Sequence, residues 1–96
     1  MVTKGTLVFH EKVVEPDNSI IEVKIWSVPA TFDKPHGFKY SLVYIKDGER
    51  VLGFDNHEGK GDHKHFKGLE TLYQFKTIDR LFEDFYEDVR RIKNES

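Results

Sequence analysis

Along this chain the spacing of apolar residues changes once, and that change limits what it can fold into. In "SIIEVKIWSV" Ile21, Val23 and Ile25 point one way while Glu22, Lys24 and Trp26 point the other, which is the period of a strand with one covered face. "FKYSLVYI" repeats the pattern, with Phe38, Tyr40, Leu42 and Tyr44 set against Ser41, Val43 and Ile45. From Ile78 onward the period is different. Ile78, Leu81, Phe82, Phe85, Val89 and Ile92 recur at intervals of three and four and form one stripe of an amphipathic helix. Strands followed by a single helix give an α+β domain, because the helical stripe needs a sheet face to bury it.

Turn chemistry divides the strand region. "PDN" separates "TLVFHEKVVE" from "SIIEVKIWSV", with Asn18 at a position that tolerates a left-handed backbone, and Asp47-Gly48 separates "FKYSLVYI" from "RVLGF". The prolines and the closing glycine of "PATFDKPHG", residues 29–37, make a loop between the two hairpins. The expectation is a four-stranded antiparallel sheet of two hairpins, with one C-terminal helix over residues 77–93 packed on one face and Thr77 as its N-cap. Gly53 marks a bulge or a close approach. Residues 1–96 read as one domain, since a chain of 96 residues builds a single core. Trp26, Val28, Val43 and Ile45 leave an apolar patch on the far sheet face, to be covered by a bound protein or by a second copy in a homodimer.

Composition removes several classes of function. Without cysteine there is no thiolate nucleophile, disulfide framework or thiolate zinc site, so any metal would be held by His, Asp or Glu. A net charge of −2 excludes a globally basic nucleic-acid binder but leaves room for a local basic face. No apolar run approaches the roughly 20 residues of a membrane span, and the N-terminal segment lacks a signal-peptide core, so a cytoplasmic location is expected.

The chemistry concentrates in "FDNHEGKGDHKHF", residues 54–66, which holds His57, His63 and His65 with Asp55 and Asp62. His63 and His65 are two apart, so on an extended backbone they face the same way and can share one ion, with Asp55 or His57 completing a site. Gly59, Lys60 and Gly61 can turn the backbone to present N–H groups to a phosphate, with Lys60 and Lys64 adding charge and Lys39 or Arg50 reaching in from the neighbouring hairpin. The same residues suit metal-free cleavage of RNA, in which histidines take and return protons and lysines meet the charge of the phosphorane. That chemistry needs no cofactor, and on spacing alone no tightly bound metal is expected.

The segments "LVFHEKVVEPDNSIIEVKIWSVP", "HGFKYSLVYIKDGERVLGFDNHEGKGDHKHF" and "LFEDFYEDVRRI" together resemble the TumE family, with Asp55, Asn56, Gly59, Gly61, Asp62, His63 and His65 at the matching positions. The resemblance implies a small toxin of a bacterial or archaeal toxin–antitoxin module, neutralised by a helix-turn-helix antitoxin. By analogy with other small toxins it implies action on RNA as a metal-independent ribonuclease. The alternatives are a non-catalytic protein-binding domain and a metal-dependent nuclease using the His63/His65 pair.

Overall fold

The computed structural model describes residues 5–32, 34–56 and 61–95. Six strands form one antiparallel sheet: β1 (Thr6–Val14), β2 (Ile20–Ser27), β3 (Phe38–Lys46), β4 (Glu49–Asp55), β5 (His63–Phe66) and β6 (Leu69–Leu72), followed by the helix α1 (Ile78–Glu95). The spatial order β1-β2-β3-β4-β5-β6 repeats the chain order, so the sheet is a plain meander. Two hairpins and one C-terminal helix are as the sequence predicts, but the sheet has six strands where four were expected. The missed pair, "HKHF" and "LETL", lacks apolar alternation because β6 is exposed throughout and β5 is polar on its far face.

Turns close as their residues demand. Asp47 and Gly48 both have positive φ, 53° and 78°, and Lys67 and Gly68 repeat this at 49° and 84°, which is the requirement of the tight hairpin turn whose twist matches the strands. Asn18 takes φ 68° in the β1–β2 turn. There Ser19 donates its backbone N–H and its hydroxyl to the Asp17 carboxylate, which holds Asp17 below the usual carboxylate range.

The core lies between α1 and one sheet face. Ile21, Val23, Ile25, Tyr40, Leu42, Tyr44, Leu52 and Phe54 are buried there against Leu81, Phe85, Val89 and Ile92, the stripe the periodicity marked out. Thr77 caps the helix by accepting the Arg80 N–H on its hydroxyl at 3.0 Å. Asp79 in the first turn and Lys93 in the last complement the helix dipole. Phe82 leaves the core line to meet Phe9 of β1, with ring centroids 5.6 Å apart. No helix among the described residues is long and apolar enough to cross a membrane.

Two features of the sheet position the site. Along β1 every residue is exposed, with Leu7, Val8 and Phe9 before, and Val13 and Val14 after, the polar His10, Glu11 and Lys12, and no described strand pairs with its outer flank. On the face away from α1, called here the open face, β2 and β3 carry Lys24, Trp26, Lys39, Ser41, Val43 and Ile45, all only partly covered.

Candidate functional site

Strand parity sorts the polar window. Phe54 and Leu52 are core residues paired with Lys64 and Phe66, so Lys64 lies on the helix face, whereas His63 and His65, paired with Asp55 and Gly53, project from the open face. Glu70 of β6 pairs with His65 and joins the same face. Three adjacent strands thereby bring two imidazoles and two carboxylates together.

His63 is the centre of this group, with only 6% of its side chain exposed. Its Nε2 is 2.8 Å from Asp55 Oδ1 and 3.3 Å from Glu70 Oε2, and the other Asp55 oxygen is 3.6 Å from His65 Nε2. The two rings meet edge to face with centroids 4.9 Å apart. On its far side His63 places Nδ1 3.0 Å from the carbonyl oxygen of Gly61, whose φ of 75° curls the backbone back toward the ring. Both nitrogens of His63 thus face oxygen acceptors.

His36 shows the contrasting case. Its Nδ1 accepts the Phe38 N–H at 3.2 Å and its Nε2 donates to Asp62 Oδ1 at 3.1 Å, which satisfies a neutral ring completely. The same Asp62 oxygen accepts the Tyr40 hydroxyl at 2.7 Å. Burial, reinforced by that hydrogen bond, raises the Tyr40 phenol far above the ordinary tyrosine range and keeps it a donor. His36 also lies against Phe75, centroids 4.0 Å apart. Asp62, expected beside the histidines as a catalytic group, has its carboxylate in this separate cluster instead, tying the loop before β3 to the segment before β5.

Asn56 is a second pin in that region. Fully buried, it accepts the Tyr40 N–H on Oδ1 at 3.0 Å and donates Nδ2 to the Phe38 carbonyl at 2.7 Å, occupying backbone groups of β3 where β4 has already ended. Replacing Asn56 with Ala leaves both groups buried without partners, and chemical denaturation should show a loss of about 2 to 6 kcal/mol, at 1 to 3 for each unpaired group. A loss below about 0.5 kcal/mol would mean that water reaches them.

The cationic candidates separate in the same manner. Lys64 is bound to Asp88 of α1 at 2.7 Å and lies over the Phe54 ring, on the side of the sheet opposite the histidines. Lys39 stands on the open face, its ammonium 5.2 Å from the centre of the Trp26 ring. Arg50 extends over Gly53: a Cβ there would lie 3.4 Å from its Cδ and 3.6 Å from its Nε. Since Gly53 pairs with His65, its missing side chain leaves the room that the Arg50 side chain takes next to the His65 position. His57, Gly59 and Lys60 lie outside the described residues. Glu70 was missed from the sequence, although Lys67-Gly68, a two-residue turn after "HKHF", is the signal that would have placed it opposite His65.

The structure therefore joins Asp55, His63 and His65 with Glu70, leaves Lys39 and Arg50 on their face, and assigns Asp62 and Lys64 elsewhere. No curated protein and no solved structure matches the chain. The family model described as toxin TumE matches residues 2–93, nearly the whole length, and the chain belongs to the TumE toxin family.

Proposed function

We propose that this toxin acts on RNA and cleaves it on the open face of the sheet, with Asp55, His63, His65 and Glu70 as the reactive centre. The observation that carries the reading is the set of side chains beside the centre. It shares its face with Lys24, Trp26, Lys39 and Arg50, with Glu22 among them, while the helix on the other side carries Asp79, Glu83, Asp84, Glu87 and Asp88 together with Arg80, Arg90, Arg91 and Lys93. RNA brings its own nucleophile, the 2′-hydroxyl, so a protein that cleaves it must hold a phosphate, manage the proton of that hydroxyl and that of the leaving oxygen, and oppose the charge that develops. The centre offers nitrogen and carboxylate groups for the proton work. Arg50 beside it is a planar cation suited to phosphate, and Trp26 offers a ring for a base to stack on.

Charge replacements on the two faces test the reading. Lys39→Gln and Arg50→Gln should each weaken binding to single-stranded RNA and reduce the slope of log affinity against log salt by about 0.7. Lys64→Gln should leave that slope unchanged, because its ammonium is paired with Asp88. Equal losses from all three, or loss from Lys64 alone, would move the RNA to the helix side. Cleavage itself is assayed in vitro on structured and unstructured RNA, beside growth arrest on induced expression.

A toxin of this family implies an antitoxin partner, which we take to be a helix-turn-helix protein. The exposed apolar edge β1 favours it as the docking surface, since added strands pair with unprotected edges. Such docking leaves the reactive face separate from the regulated one.

A further inference from the structure

We propose that the Asp55–His63–His65 cluster binds one divalent transition-metal ion of the zinc or manganese kind, through the Nε2 atoms of both rings and the Asp55 carboxylate, with Glu70 as a fourth donor. The inference deepens the reading of this cluster as the reactive centre, and it rests on that reading for the ion's role but not for its binding. It favours the metal-using alternative over the metal-free chemistry that spacing alone recommended. What the spacing of His63 and His65 lacked were the two carboxylates, which other strands supply.

The first argument is the orientation of His63. Its Nδ1 lies 3.0 Å from the Gly61 carbonyl, so Nδ1 carries the proton, and the lone pair of Nε2 is then aimed at Asp55 Oδ1 and Glu70 Oε2, 2.8 and 3.3 Å away. An acceptor facing two acceptors is repulsive unless a cation lies between them. A proton meets that need, and so does a metal ion. An outer hydrogen bond from the distal ring nitrogen to a backbone carbonyl is the support that metal-ligating histidines ordinarily have, since it fixes tautomer and orientation together. His36, by contrast, satisfies both nitrogens within a neutral ring, and its Asp62 neighbourhood calls for no ion.

The second argument is distance. The candidate ligand atoms of Asp55, His63 and His65 all lie within 4.8 Å of one another. Zinc bonds of about 2.0 to 2.1 Å in tetrahedral array put neighbouring donor atoms about 3.3 to 3.4 Å apart, and six-fold coordination puts them at about 2.9 Å. Separations of 2.8, 3.3 and 3.6 Å lie near those values, and the donors of Asp55, His63 and His65 spread to 4.8 Å at most, so side-chain rotation draws them onto one ion. The donors stand on paired strands in fixed register, Asp55 opposite His63 and Glu70 opposite His65, which preorganises the site.

Donor chemistry and exposure then select the class. Imidazole with carboxylate and no sulfur suits zinc, manganese or ferrous iron better than calcium or magnesium, which prefer oxygen alone. His63 is buried, while Asp55, His65 and Glu70 have side chains 16%, 21% and 43% exposed, so the ion would be held from one side and keep a position open toward the RNA-facing surface. An open position distinguishes a reactive metal site from a closed structural one.

The test titrates tag-free, chelator-stripped protein with zinc chloride and with manganese chloride, read by calorimetry. One equivalent should bind in the micromolar range or tighter. His63→Gln and Asp55→Asn should each weaken it at least tenfold, and His65→Gln, at a more exposed ligand, keeps the test informative should the buried variants misfold. His10→Gln, at a histidine paired with Glu22 on the β1 edge, should bind as the parent does. Absence of saturable binding below 1 mM, roughly the weakest affinity of interest, would overturn the proposal, as would binding that survives in a folded His63→Gln/His65→Gln double variant. RNA cleavage is followed in parallel with and without chelator. Cleavage that persists in metal-free protein removes the ion's role in the reaction and leaves the RNA reading standing; a stoichiometric ion with no RNA cleavage upholds the site and removes that reading.

Discussion

His63→Gln toxin should cleave RNA at least about 100-fold more slowly than the parent and lose growth arrest to match, while its circular dichroism is unchanged. Glutamine preserves polarity and much of the volume. Its amide can reach toward Asp55 or toward the Gly61 carbonyl, but it replaces neither the titratable ring nor the Nε2 ligand. The loss is therefore expected whether the cation at that atom is a proton or a metal ion, which makes this variant the broadest probe of the centre. Because His63 is buried among Asp55, Gly61 and Glu70, the less deeply buried His65 serves as the companion site. Full activity in both folded variants would reduce the cluster to a pin joining β4, β5 and β6.

Phe85→Ala should lower unfolding stability by about 3 to 5 kcal/mol. The ring is fully buried, meets Phe54 edge to face with centroids 5.9 Å apart, and stands midway along the stripe through which α1 holds the sheet. Alanine leaves a cavity that neither a rigid strand nor the helix can collapse into. The midpoint of a urea transition reads the loss directly, and a change under about 1 kcal/mol would show that the helix presents another face. Phe82, which shields Phe9 from beside the core, should cost less, since its burial is partial.

The elements whose side chains alternate between water and core were legible from the sequence. Ile21, Val23 and Ile25, the Tyr40–Leu42–Tyr44 row and the Leu81–Phe85–Val89–Ile92 stripe are all buried as their periods require. β5 and β6 were not, because β6 buries nothing and β5 has no second apolar face, so hydrophobic spacing is silent there. Only the Lys67-Gly68 turn speaks for them. The same omission hid the site's fourth member, Glu70, which reaches His65 solely through β6. Alternation within "HKH" did predict that His63 and His65 share a face, yet it equally required Lys64 to leave that face, where Asp88 receives it. Asp62 was misplaced for a different reason. It precedes the strand, where parity no longer governs direction, and its partners Tyr40 and His36 come from more than 20 residues away.

The meander also bears on how the toxin comes into being during synthesis. Each strand pairs with the one made just before it, so every pairing step closes a short loop and carries a low entropic cost. A nascent chain can zip its sheet as it leaves the ribosome, in the order of translation. What it cannot yet do is cover the helix face, because α1 follows all six strands. The groups of the proposed centre, by contrast, come from β4, β5 and β6, on the face away from the helix. In chain order Asp55, His63, His65 and Glu70 all precede α1, so a chain ending short of Phe85 would contain every one of them yet lack most of the stripe that covers the apolar side of the sheet.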